Sequence, residues 1–367
     1  RARRRPATGR RRRPFRAASR KSPRNRADTL RSAPAIPCEP DGGIRSSTAS
    51  RRPVPSASPA SGARGTIAWH GLKGLTAVPS DYKYAVGAHT EVELVDCELS
   101  SPSALTIGRD EAAGSHTLRL VGGSCSVTGN LILGSAATTQ SGATGRLETD
   151  GATVTLTGLL AVGRNTGHAG SALFRKSTIS ADAIDVCQTG TTTSSLTNIG
   201  SKVTLNFLRF PSAAGSTAYY RDCEGSETTV NTDFRGCHAQ GTLIAEIGGK
   251  MSVPGRFFTC MKDNSTSRII VTPTGLIDVG QNDVNLGWSG YSSVSTLELQ
   301  GVVLAKRILP FNADASKPSG ELYFNGGTFK ASADATEILH GALSKCAIGA
   351  GGAKFDSNGH AITSWHD

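Results

Sequence analysis

Residues 92–108, VELVDCELSSPSALTIG, and residues 117–134, TLRLVGGSCSVTGNLILG, read as two copies of one pattern. Leu94 falls on Leu120, Ile107 on Leu133 and Gly108 on Gly134, each 26 positions apart. A third copy follows as RLETDGATVTLTGLLAVG, residues 146–163, in which Gly122 and Gly123 are answered by Asp150 and Gly151, Val127 by Val154 and Gly134 by Gly163. Within each copy the apolar residues alternate, as in Leu118-Arg119-Leu120 and Val154-Thr155-Leu156, which is the period of a strand with one buried face. The runs last only three to five residues, and Gly-Gly, Asp-Gly or Gly-Asn pairs between them supply the positive φ that tight corners need.

The outline recurs along the chain, with coil starts near 92, 118, 147, 172, 196, 219, 244, 269, 297 and 322, a period of about 25. Two of these copies, ALFRKSTISADAIDV and YYRDCEGSETTVNTDFRG, keep the outline poorly. No stretch shows a sustained 3.6-residue period. Three short strands and three corners per copy predict an all-β fold, a single-stranded right-handed parallel β-helix of about ten coils spanning residues 92–367. A three-residue strand buries too little surface alone, but stacked on its equivalent at about 4.8 Å each copy completes its neighbour. Ten coils would then extend about 48 Å. A β-sandwich also uses short strands and Gly-rich turns, but it gives no reason for one phase to persist over 200 residues.

Charge and fold occupy different segments. Residues 1–64 carry 18 of the 40 Lys and Arg but only 3 of the 29 acids, so the rest of the chain is net acidic by 4 although the total is +11. The first segment is Arg, Pro, Ser and Ala with almost nothing apolar, and it reads as a disordered tail. A polybasic arm, an Arg-rich organelle presequence and a stretch that is not native coding sequence all fit it. No nucleic-acid partner is expected for the acidic folded part. Neither a secretory leader nor an apolar run long enough to span a bilayer is visible. Residues 65–91 lie outside the repeat and read as an N-terminal cap, with Trp69 and Tyr84 over the first coil. The closing stretch, GGAKFDSNGHAITSWHD, reads as one more coil beginning, as in a truncated chain.

The eight cysteines, Cys38, Cys97, Cys125, Cys187, Cys223, Cys237, Cys260 and Cys346, include no C-x-x-C pair, and the 8 His are scattered, so neither a metal nor a cofactor is expected. The 28-residue gap from Cys97 to Cys125 would allow a disulfide between adjacent coils; buried single thiols are the favoured reading.

The Gly-Gly, Val-Thr-Gly, Leu-x-Leu-Gly cadence of residues 92 to about 363 resembles bacterial β-solenoid surface proteins, in particular autotransporter passenger domains and secreted repeat proteins on a pectin-lyase-like β-helix. Phe355 to Thr363, FDSNGHAIT, resembles a turn that recurs in such passengers. The resemblance implies secretion or surface display, with a stalk, adhesin or passenger role and a carbohydrate or cell-surface ligand.

Pectin-lyase-like folds often carry polysaccharide hydrolases or lyases, so charged residues stacked on one outer face are the natural place to look for chemistry. Asp185, Arg209 and Asp233 follow each other at intervals of 24 and are flanked by inward-type residues, which predicts an outward column on three coils. Two carboxylates could serve glycoside cleavage, with Arg209 as base or charge clamp. The same sequence makes an ion-pair ladder that avoids stacking like charges, and this non-enzymatic reading is favoured. Thr128, Thr155, Ser180 and Thr204 form a second expected column of hydroxyls. The longer corner segments, beginning near Gly134, Cys187, Pro211, Cys260 and Pro310, share one phase of the coil and predict a Ser/Thr/Gly-rich loop edge suited to glycan contacts.

Overall fold

A computed structural model describes residues 65–76, 89–109, 114–135, 142–288, 293–311 and 319–364. The basic segment 1–64 and Tyr84 lie outside the described residues. Every regular element among them is a β-strand, and the strands pair parallel in a 12-stranded and an 18-stranded sheet. Each coil gives one strand to the smaller sheet, turns a corner, and gives two short runs to the larger one. Where the corner between those two runs is shallow they fuse, as in Thr178–Val186, Lys202–Phe210 and Glu227–Gly236. Elsewhere they stay separate, as in Ser124–Val127 and Leu131–Ser135. The result is three parallel ladders around one core, a β-solenoid of about ten coils.

Register follows the sequence period. One inward column of the smaller sheet runs Val92, Leu118, Leu147, Ala172, Leu196, Tyr220, Ala245, Ile269, Leu297 and Leu322. The copies expected to start at 219 and 244 are therefore offset by one, with Tyr220 and Ala245 on the column. Val127 stands against Leu156, while Val154 meets Cys125, because the extra residues lie between the second and third copies and not within the strand. Gly134 still meets Gly163, adjacent to the pair Leu133 and Val162.

Parallel stacking puts like over like, so the interior sorts into columns of similar side chains. Leu105, Leu131, Leu160, Ile184, Leu208, Phe234, Phe257, Val284 and Ile308 form one such column, all buried. Its aromatic pair is stacked, the ring of Phe234 lying 4.5 Å from that of Phe257 with the planes 7° from parallel, and Phe210 of the neighbouring position adds a tilted contact to Phe234 at 5.8 Å. Each coil thus closes the apolar surface of the one before it.

The segment expected as a separate cap continues the ladders. Gly65–His70 pairs in register with His89–Val95, placing Ile67 on Val92 and Trp69 on Leu94, and Leu75–Thr76 pairs with Glu98–Ser101. Trp69 packs against the first core residues. At the other end Lys345–Ile348 stacks on Glu321–Phe324 and Lys354–Asp356 on Thr328–Ala331, so the closing stretch does add a further coil. The FDSNGHAIT turn has a physical basis. Asn358 adopts φ 49°, its amide donates to Asp356 Oδ1 at 2.8 Å, and its side chain donates to the Ala331 carbonyl one coil back at 3.1 Å. Ile348 and Phe355 remain 65% and 48% exposed on the last coil, where no further strand covers them among the described residues.

Phe234→Ala should cost about 3–5 kcal/mol, because the cavity would open between rings that stack along the axis. Urea titration followed by circular dichroism checks this. A loss under about 1 kcal/mol would mean that the column is not packed as described.

Candidate functional site

The ladder Thr178–Val186, Lys202–Phe210, Glu227–Gly236 carries the expected charged column, but the column is not straight. Asp185 stands opposite Arg209, whereas Arg209 stands opposite Arg235 and Asp233 opposite Phe207. A register shift between Leu205 and Phe207, where the bent ladder absorbs an extra residue, moves Asp233 out of line. The expected Asp-Arg-Asp stack is thereby corrected to two separate ion-pair groups. Nor do the carboxylates face open solvent: Asp185 is 5% and Asp233 1% exposed.

Asp185 Oδ1 lies 2.6 Å from Arg209 Nε, an ion contact whose angle is poor for a hydrogen bond. Asp233 is gripped from two sides. Arg256, one coil on, donates from Nε to Oδ1 at 2.8 Å and from Nη2 to Oδ2 at 2.7 Å, and Arg235 donates from Nε to Oδ2 at 3.0 Å. The central ring of the group is Phe207, whose face carries the guanidinium groups of Arg209 at 5.4 Å and Arg235 at 5.5 Å. Gln188, His238 and Lys262 complete the surroundings.

The two acids are pushed apart electrostatically. Burial raises the Asp185 carboxyl, and the opposing pull of Arg209 does not cancel it. Burial also acts upward on Asp233, but the cover is thin and made of its own partners, so the hydrogen bonds from Arg256 and Arg235 win and hold it below its ordinary value. His238 is lowered to about 4 by burial and by the charges of Arg235, Arg209 and Lys262, so it is neutral near pH 7. A raised and a lowered carboxyl is the pattern of an acid and base pair. Here, however, both oxygens of Asp233 already accept from guanidinium groups, which lowers the basicity and nucleophilicity that a catalytic carboxylate needs.

The expected hydroxyl column is also shifted. Thr155 stands against Ser126 and not Thr128, and the column extends through Ser100, Ser126, Thr155, Ser180, Thr204, Thr229 and Ser252 before ending at Asp278. Beside it Asn206 donates to Asp182 at 2.9 Å and Asn231 to Asn206 at 3.3 Å, so one ladder of hydrogen bonds from two amides to a carboxylate runs across three coils. The loop edge holds where it is described: residues 187–192, 211–215, 237–240 and 259–265 all join the larger sheet to the smaller at one corner. Buried serines pin that corner, with Ser216 Oγ accepting from the Thr192 amide at 3.2 Å and Ser265 Oγ from the Gly241 amide at 3.3 Å.

One polar group is not marked by the repeat pattern. Asn198 and Asp222 are register partners in an inward column otherwise filled by residues such as Leu120, Phe174, Ile247 and Val271. Thr228 joins them from the next ladder. Its hydroxyl accepts from Asn198 Nδ2 at 3.2 Å and Tyr220 OH at 3.4 Å and donates to Asp222 Oδ1 at 3.4 Å. Asp222 Oδ2 has no well-aligned hydrogen bond, although Asn198 and Ser226 sit close enough to ease its charge. Burial dominates and raises this carboxyl to about 7. The signal that could have found the group is the apparent degeneracy of YYRDCEGSETTVNTDFRG, where polar residues replace column residues.

Comparison with protein-family models, curated proteins and solved structures finds no match to the chain. Among the described residues no group of three or more His, Cys, Asp or Glu is placed to hold a metal ion, and no helix is long and apolar enough to cross a membrane.

Asp222 makes a signed prediction. Its folded carboxyl is raised above the unfolded one, so its contribution is fully favourable below about 4 and is lost as pH rises toward about 7. Stability should therefore fall across that window, and Asp222→Asn should flatten the fall and melt higher than the parent at pH 8. Melting curves between pH 4 and 8 check this; identical slopes for the two proteins would refute the assignment.

Proposed function

We propose that this chain is a non-enzymatic β-helix scaffold for extracellular or cell-surface use, a stalk, adhesin or passenger-type module that meets a carbohydrate ligand through its loop edge. The observation that carries the reading is the state of the two candidate carboxylates. Each is covered and neutralised by an arginine of a neighbouring coil, Asp185 by Arg209 and Asp233 by Arg256 with help from Arg235, which is what holds charged side chains on a parallel stack. The corner loops support the binding half of the proposal. They project from one edge, are rich in Ser, Thr and Gly, and present exposed Thr191 and, two and three coils further on, exposed Gln240 and Lys262.

A polysaccharide hydrolase or lyase is the second reading, favoured by the split between the raised Asp185 and the lowered Asp233. One experiment separates the two. The full chain and its Asp185→Asn variant are incubated with neutral, uronic and sulfated polysaccharides, and both new chain ends and retention on the insoluble polymer are measured. The scaffold reading predicts no cleavage by either protein and retention that Gln240→Ala with Lys262→Ala weakens several-fold. Cleavage that Asp185→Asn abolishes would establish the enzyme, and absence of both cleavage and retention would remove the carbohydrate ligand. Surface display is checked by protease access to the chain on intact producing cells.

A further inference from the structure

Among the described residues Cys97, Cys125, Cys187, Cys237, Cys260 and Cys346 are free thiols. The Cys97–Cys125 disulfide that the spacing would allow does not arise, since Cys125 stands against Leu99, two positions beyond Cys97, and both are the buried single thiols favoured from the sequence. A different pair is aligned. The register that sets Arg235 on Phe258 continues for two residues, with Gly236 packed against the Thr259 carbonyl and the Met261 amide donating to the Cys237 carbonyl at 3.4 Å. Cys237 and Cys260 are therefore equivalent residues of consecutive coils. At the spacing of paired strands, about 4.8 Å, their Cα atoms fall inside the window that a disulfide requires, about 4.4–6.8 Å.

The side chains agree with the backbone. Cys237 Sγ reaches the Thr266 carbonyl at 3.3 Å, and Thr266 belongs to the coil that carries Cys260, so this thiol points along the axis toward that coil. Both residues are buried, at 0% and 1% exposure, and the two thiols act on each other as hydrogen-bonded neighbours. The position is also one where a side chain is costly. Earlier coils place Gly108, Gly134 and Gly163 there, each with positive φ, whereas Cys187 and Cys237 hold φ 57° and 44° as non-glycine residues. Of these two, Cys187 is followed on the next coil by Pro211, and Cys237 by a second cysteine. A left-handed cysteine facing another thiol one rung away is poorly explained by packing alone.

We propose that Cys237 and Cys260 are an oxidisable pair that closes into a disulfide clip between two adjacent coils at the loop-edge corner. The reaction is thiol–disulfide exchange with a small external disulfide such as oxidised glutathione. One thiolate attacks a glutathione sulfur and releases one glutathione thiol; the second then attacks the mixed disulfide and releases the other. Two thiols of the protein are oxidised, one external disulfide is reduced, and the protons pass to the released thiols. Because both sulfurs are covered, exchange needs local opening of the corner or refolding in the oxidant.

The full chain is refolded in a glutathione redox buffer and also incubated folded with oxidised glutathione near its melting midpoint; the products are alkylated, digested and mapped by mass. The expected result is one peptide joining Cys237 to Cys260 with the mass of two hydrogens lost, and a melting midpoint raised by several degrees over the reduced form. That rise should vanish in Cys260→Ala, which leaves the left-handed Cys237 in place. Recovery of both thiols in reduced form from protein with native circular dichroism would overturn the proposal, as would a cross-link from either residue to any other cysteine.

Discussion

Parallel strands, here of 2 to 10 residues, cannot satisfy their own backbones. Each amide and carbonyl along them finds its partner only in the coil before or the coil after, about 25 residues away in sequence, and every other feature of this fold answers to that requirement. It fixes the period, since a coil that gained or lost a residue inside a strand would turn its buried face outward. Insertions are consequently confined to corners, and where a residue is absorbed within a ladder, at Leu205 and Phe207, the pairing after it moves by one position. The requirement also produces the side-chain columns, because equivalent positions are held one strand spacing apart whatever they carry.

Columns are favourable for apolar residues and unfavourable for charges of one sign. The outer faces show how the chain resolves this. Arg119 sits between Glu93 and Glu148, Arg221 against Glu246, Arg268 against Glu298, Asp283 against Arg307 and Lys330 against Asp356. Alternation of sign from coil to coil recurs along this surface. The Asp185 and Asp233 groups are members of the same series, more deeply covered than the rest, and that is the physical reason to read them first as ladder contacts. Asp222 is the exception. It lies inside, has no counter-ion in its column, and answers burial by holding its proton to near neutrality instead of pairing.

Much of this is written plainly in the chain. Leu94 over Leu120 and Ile107 over Leu133 reveal phase, strand length and fold class, since an apolar residue on a parallel stack is read directly by its period. The charged candidates are only half legible. Asp185 and Arg209 are partners as their spacing suggests, but Asp233 is bound by Arg256, a residue with no distinguishing mark in sequence, because a bulge is set by local backbone geometry and leaves no periodic trace. Asn198 and Thr228 look like ordinary surface residues until their inward direction is known. Cys237 and Cys260 read as isolated thiols for a related reason: at a corner the register depends on how many residues the turn takes up, which composition does not reveal.

The stacking itself can be measured along the outward column that runs from Ser100 through Ser126, Thr155, Ser180, Thr204 and Thr229 to Ser252. Spin labels at Ser100 and Ser252, six rungs apart, should give a dipolar distance of about 29 Å, and labels at Thr155 and Ser252, four rungs apart on the same line, about 19 Å. Distances that grow in proportion to the number of coils are the signature of one continuous parallel stack. A distance between Ser100 and Ser252 equal to or shorter than that between Thr155 and Ser252 would mean that the chain folds back on itself, which contradicts a single solenoid.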